Sequence, residues 1–149
     1  MLISDADPRA MESVEYGRIV KETPADELGR LMSGERRAAV LDELVRRMPD
    51  AFRPDRARSL AAVVHWRIGG RPDGGADVYQ LVIGDGTCTV SPVADGQPHL
   101  VFSIDAVDFV RMVTGNANAV ALVVRGRLRS SGDMRLTARF PSLFDPPRP

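Results

Sequence analysis

Cysteine occurs once in this chain, at Cys88, and histidine only twice, at His65 and His99. A single thiol excludes an intramolecular disulfide framework and any multi-cysteine zinc or iron–sulfur site, and two histidines make a His/Cys metal cluster a poor prospect. Charge of one sign is also missing. Across 149 residues 20 basic side chains balance 20 acidic ones, so no global positive field argues for nucleic acid. Lysine is nearly absent, Lys21 standing against 19 arginines, a skew that by itself points to no function. Long hydrophobic runs are missing too: the longest, 119–124, is six residues, against the roughly 18 needed to span a bilayer. Asp5, Asp7 and Arg9 interrupt the amino end before any signal-peptide core forms. The expectation is a cytoplasmic domain that holds its own hydrophobic core and needs no cofactor.

What is present is a set of short periodic segments. Residues 1–22 show no clear period and read as an extended or partly ordered arm. Thr23 then reads as a helix cap followed by Pro24, with Ser33 capping a stronger helix. On that helix Leu41, Leu44, Val45 and Met48 form one apolar stripe, Arg36, Arg37, Asp42, Arg46 and Arg47 lie mostly off it, and Pro49 stops it. After Arg58 the period becomes two. Val64, Trp66 and Ile68 share one face of a strand, and the glycine-rich 69–75 turn leads to a second strand over 77–83. Turns at 84–86 and 94–98 bound two more strands, 87–92 and 99–104. From Asp105 the helical period returns and ends at Gly115. A short apolar helix capped by Asn116 or Asn118 follows, then a fifth strand over 127–130. Asp133 caps a last helix, which Pro141 bends or shortens, and the proline-rich 145–149 must be extended.

No catalytic constellation emerges from this pattern. The 69–75 glycines join two strands and lack both the P-loop and the dinucleotide spacing, so an exposed hairpin connection is expected. Cys88 sits in a strand as a small buried hydrophobe, and His65 reads as a structural histidine. The carboxy-terminal third is more informative. Phe109, Met112, Val113, Val120, Val123, Val124, Leu136, Phe140, Leu143 and Phe144 give three short helices more apolar face than one thin sheet needs. Each such side chain contributes roughly 1.5–3 kcal/mol when buried, so they must cover a core, another chain or an apolar ligand. The same third is locally basic: Arg111, Arg125, Arg127, Arg129, Arg135 and Arg139 are offset between them only by Asp133. Such a face suits peripheral contact with an anionic membrane.

The order of these signals resembles the sterol carrier protein 2 (SCP2) sterol-binding domain. The landmarks are Val64-His-Trp-Arg-Ile68, Tyr79-Gln-Leu-Val-Ile83 followed by Asp85-Gly86, the 100–104 strand leading into Asp105 and Asp108-Phe109, Met112-Val-Thr-Gly115, and Gly126-Arg-Leu followed by Gly132-Asp133. The resemblance spans about residues 34–144, with 1–33 as an amino-terminal extension and 145–149 as a tail. It implies an α+β fold: a twisted, mostly antiparallel five-stranded sheet with helices on one face and an apolar cavity between them. It further implies non-enzymatic binding and intracellular transfer of a fatty acid, acyl-CoA or sterol-like lipid. The alternative is a protein-interaction or dimerisation module with a reduced cavity. On the same grounds the cavity walls are assigned to Phe109, Met112, Val113, Val120, Val124, Leu128, Leu136 and Phe140, with Phe144 near the mouth. Arg127 stands where the family usually has lysine, and Pro141 shortens the helix that often lids the cavity.

Overall fold

The computed structural model describes residues 12–149. Five strands, β1 (Ala62–Gly69), β2 (Asp77–Gly84), β3 (Thr87–Ser91), β4 (Leu100–Asp105) and β5 (Leu128–Gly132), form one sheet in the order β3-β2-β1-β4-β5. Every pairing is antiparallel except that of the central strands β1 and β4, with Trp66 opposite Phe102. Alternation fixes the faces: Val64, Trp66, Ile68, Tyr79, Leu81, Ile83, Leu100, Phe102 and Ile104 all point to the buried side. The parallel pair requires a crossover, which residues 92–99 supply across the opposite face. There Gly96 N–H donates to Gln80 Oε1 at 2.8 Å, and Val63 N–H donates to His99 Nδ1 at 2.9 Å. The 70–76 turn is an ordinary hairpin connection, closed by Arg71 and Gly75 N–H donating to the Asp73 carboxylate.

Helices cover the buried side. They are α1 (Ser13–Glu22), α2 (Ala25–Met32), α3 (Arg37–Arg47), α4 (Ala106–Val113), α5 (Ala119–Val124) and α6 (Met134–Arg139), with 3-10 turns at Met48–Ala51 and Phe140–Leu143. Among the described residues no helix is long and apolar enough to cross a membrane. α4 is the hub, packing against α1, α2 and α3. The break at Pro141 takes the form expected of a proline, α6 giving way to a 3-10 turn within two residues of it. Asn118 and Asp133 cap α5 and α6 through their side chains, as their sequence positions suggest.

Several local expectations give way to tertiary contacts. The extended arm proposed for 1–22 is, over Ser13–Glu22, a helix whose Tyr16, Ile19 and Val20 enter the core; residues 1–11 lie outside the described residues. Its stripe is only i, i+3, i+4, too short to stand out by period. Gly17 lets this helix approach α4 closely, since a Cβ there would lie 2.8 Å from the Thr114 carbonyl oxygen, and Asn116 donates to the Gly17 carbonyl at 2.9 Å. Thr23 does not cap α2, because its hydroxyl donates back to the Ile19 carbonyl and Pro24 takes the cap position. Ser33 donates to Gly29 in the same way, which leaves Arg36 at the cap of α3. Arg37 leaves the solvent face. It is buried, donating to Asp77 at 3.0 Å and to the carbonyls of Met32, Ile68 and Gly69, and so staples α3 to the turn end of β1 and β2. The tail is extended yet packed. Asp145 N–H donates to Ala51, Arg53 N–H donates to Leu143, and the Pro147 carbonyl sits where a Cβ on Gly115 (φ +82°) would be.

Candidate functional site: an apolar cavity between sheet and helices

Between the sheet and its helical cover lies a cavity of about 500 Å³, within the size range of small-molecule sites. Its floor is aromatic. The Trp66 and Phe102 rings stack at 4.6 Å between centroids, Phe140 closes on both at 5.9 and 4.9 Å, and Phe144 follows Phe140 at 5.1 Å. Phe109 stands edge-on behind Trp66 at 5.6 Å, and Phe52 meets Phe144 at 5.6 Å. All five phenylalanines and the one tryptophan therefore join in a single chain of rings. The remaining wall comes from Val14 and Tyr16 of α1, Leu44 and Met48 at the end of α3, Met112 and Val113 of α4, and Ala119, Val120 and Val123 of α5. Leu128 of β5, Thr137 and Ala138 of α6, the tail residues Asp145, Pro146 and Pro147, and Ser13, Arg47, Asp50, Ala51, Thr114 and Pro141 complete it.

Of the nine residues assigned from sequence, Met112, Val113, Val120, Leu128, Phe140 and Phe144 are on this wall. The other three are not. Phe109 is wholly enclosed behind Trp66, and Leu136, 5% exposed, packs into the core. Val124 is 81% exposed at the end of α5 and is absent from the wall, although helical spacing puts it within about 40° of Val120. The sequence reading also missed wall residues. Trp66 and Phe102 were legible as the inward phase of two strands. Met48 was legible on the apolar stripe it shares with Leu44, whereas Tyr16 and the tail prolines gave no sign of lining a cavity, since chain folding alone brings them there.

The polar side chains at the site are few. Glu43 is buried beside it and accepts from Arg46 at 2.5 Å and from Arg47 at 2.7 Å. Burial would raise its carboxyl, but these two guanidinium groups outweigh that and hold it below the usual carboxylate range. The Arg47 guanidinium also lies 5.7 Å from the Tyr16 ring centroid. Burial pushes the Tyr16 phenol up to about 12, so it stays protonated at neutral pH. The other reactive types serve the scaffold. Burial pushes the Cys88 thiol up to about 12, His65 Nε2 lies 3.1 Å from Gln80 Oε1, and His99 holds the start of β1.

The basic residues of the carboxy-terminal third divide. Arg125, Arg129 and Arg135 are exposed. Arg127 and Arg139 are exposed too but engaged, Arg127 pairing with the buried Asp108 carboxylate at 3.0 Å and Arg139 donating to the Arg56 carbonyl at 2.8 Å, and Arg111 is half-buried. Between them the apolar surface is open: Val120, Val123 and Val124 of α5 are 59%, 51% and 81% exposed, and Met134 is 82% exposed. Val120 and Val123 line the cavity and face solvent at once, so its mouth is at α5.

A five-stranded mixed sheet roofed by helices over an apolar cavity defines a small α+β ligand-binding domain. The family model of the SCP-2 sterol transfer family matches residues 41–145, and the chain belongs to that family. Solved structures agree on the fold. Sterol carrier protein 2 like 2 from Aedes aegypti is 15% identical, with a TM-score of 0.56 over 74% of this chain and 100% of that one. The palmitated form of the Aedes aegypti SCP2L2 gives 13% and 0.53 over 74% and 96%. The inverting sec-alkylsulfatase Pisa1 from Pseudomonas sp. gives 14% and 0.58 over 74% of this chain. This chain spans only 17% of that sulfatase, where the fold is one part of a larger enzyme. No match was found among curated protein sequences.

Proposed function

We propose that this protein binds an apolar lipid, of the fatty acid, acyl-CoA or sterol-like class, in the cavity over Trp66 and Phe102 and carries it between membranes without transforming it. The observation that carries the reading is the cavity itself: about 500 Å³ of aromatic and aliphatic wall under a helical roof. A packed core fills such a space, because buried side chains reach crystal-like density. Membership of a lipid-transfer family and the palmitate on the Aedes aegypti relative support it. Native mass spectrometry of protein purified without detergent tests it. A lipid mass on the monomer is the expected result, and a folded protein that takes up no added fatty acid or sterol overturns it.

The mouth is the delivery surface in this reading. Val120, Val123, Val124 and Met134 enter the acyl region of a membrane while Arg125, Arg129 and Arg135 meet anionic headgroups. Co-sedimentation with anionic vesicles that weakens with salt is the expected behaviour. The setting is cytoplasmic. The same exposed valines favour one second reading, an interaction module in which α5 meets another chain. A concentration-dependent mass in sedimentation, without lipid uptake, would select it.

A further inference from the structure

Two buried side-chain polar atoms among the described residues find no hydrogen-bond partner in the protein: the Tyr16 hydroxyl and the Trp66 indole Nε1. Both residues line the same cavity. An unpaired buried donor costs about 1–3 kcal/mol, so native proteins keep few of them without a use. Both groups are donors here. The indole N–H can do nothing else, and the phenol holds its proton well past neutrality. Their complement is an acceptor oxygen. The charges on the wall argue about the rest of that group: the one guanidinium there, Arg47, already donates to Glu43, Asp50 adds a carboxylate, and Asp145 is answered by Arg53 at 3.6 Å and Arg148 at 3.9 Å. The wall therefore does not select an anion.

We infer that the ligand carries a neutral carbonyl oxygen, as in a ketone or ester, and that the Tyr16 hydroxyl and the Trp66 indole N–H donate to ligand oxygen inside the cavity. This rests on the lipid-binding reading and narrows it. Tyr16 belongs to α1, outside the segment 41–145 that the family model matches, and Trp66 lies within it. Both polar atoms are sealed from solvent. The oxygen must reach them by a small rotation of the covering side chains, and the bonds then form where no water competes.

The test uses undecane, methyl nonyl ketone and undecanoate as probes of equal chain length, with the full chain and its Tyr16→Phe variant. Phenylalanine keeps the ring and removes only the donor. The expected result is that the ratio of ketone to alkane affinity falls roughly three- to tenfold in the variant, as for loss of one hydrogen bond. The single tryptophan gives a single indole N–H resonance in labelled protein. That resonance should move downfield with the ketone and not with the alkane. Undecanoate should bind no more tightly than the ketone at neutral pH. An unchanged ratio together with an unmoved indole resonance overturns the inference, and tighter undecanoate overturns the neutral head. Alkane uptake in either of those cases leaves the lipid-binding reading standing, whereas failure of all three probes with a folded protein removes that reading itself.

Discussion

The floor of the cavity and its mouth are made of the same kind of residue and behave in opposite ways. At the floor Trp66, Phe102 and Phe140 are 5% exposed or less and interlock ring against ring. At the mouth Val120, Val123 and Val124 stand more than half exposed on a helix whose single buried residue is Leu122. Apolar groups packed on all sides hold a fold. Apolar groups left uncovered beside a cavity gain their burial only when something arrives. The difference separates residues that maintain this domain from residues positioned for what it carries, and that division can be broken by experiment.

The largest effect should come from the floor. Phe140→Ala removes contacts with Trp66, Phe102 and Phe144 at once and should cost about 3–5 kcal/mol, read as a lower urea midpoint with an unchanged slope. A loss below about 1 kcal/mol would mean that the rings do not interlock. Alkaline pH should act next, through Tyr16, which joins α1 to the wall. Its phenol titrates at about 12 in the fold against 10 when free, so the stability it represents is complete below pH 10 and is lost as pH rises through 12. That amounts to roughly 2–3 kcal/mol. Spectroscopic titration should find phenolate appearing near pH 10 only after denaturation. Tyr79 moves the same way, through burial and its bond to Asp42. Early phenolate in the native protein would contradict the sealed wall.

Removal of residues 145–149 should have a smaller effect on stability, on the order of 1 kcal/mol. It should nonetheless speed release of a bound fluorescent lipid several-fold in stopped flow, because Asp145, Pro146 and Pro147 are wall. An unchanged release rate would make the tail mere packing. At the mouth, Val120→Ser with Val123→Ser should leave the unfolding midpoint within about 0.5 kcal/mol of the parent. Transfer to anionic vesicles should slow, and a midpoint shift as large as that of Phe140→Ala would abolish the distinction between mouth and floor.

The succession of strands and helices, the inward phase of β1, the stop at Gly115 and the break at Pro141 were all legible in the chain, because each rests on local period or backbone chemistry. The site was legible in part. Met112, Val113, Val120 and Leu128 follow from surplus apolar faces and the family resemblance, whereas Val124 was misplaced because a wholly apolar helix of six residues has no polar side to set its phase. Tyr16 was read as arm and Arg37 as solvent face, since what buries them lies far away in sequence: Tyr16 joins the same cavity wall as Trp66, and Arg37 reaches the carbonyls at the end of β1. Such contacts are products of the assembled fold, and no window of neighbouring residues carries them.

Trp66, alone of its kind and on the cavity floor, offers the most direct test of the central claim. A fatty acid bearing a fluorophore that absorbs tryptophan emission should quench Trp66 saturably, at one molecule per chain, and unlabelled lipid should restore the emission. Quenching that never saturates, or none at all in a protein shown to be folded, would contradict the assignment of the cavity as a lipid site.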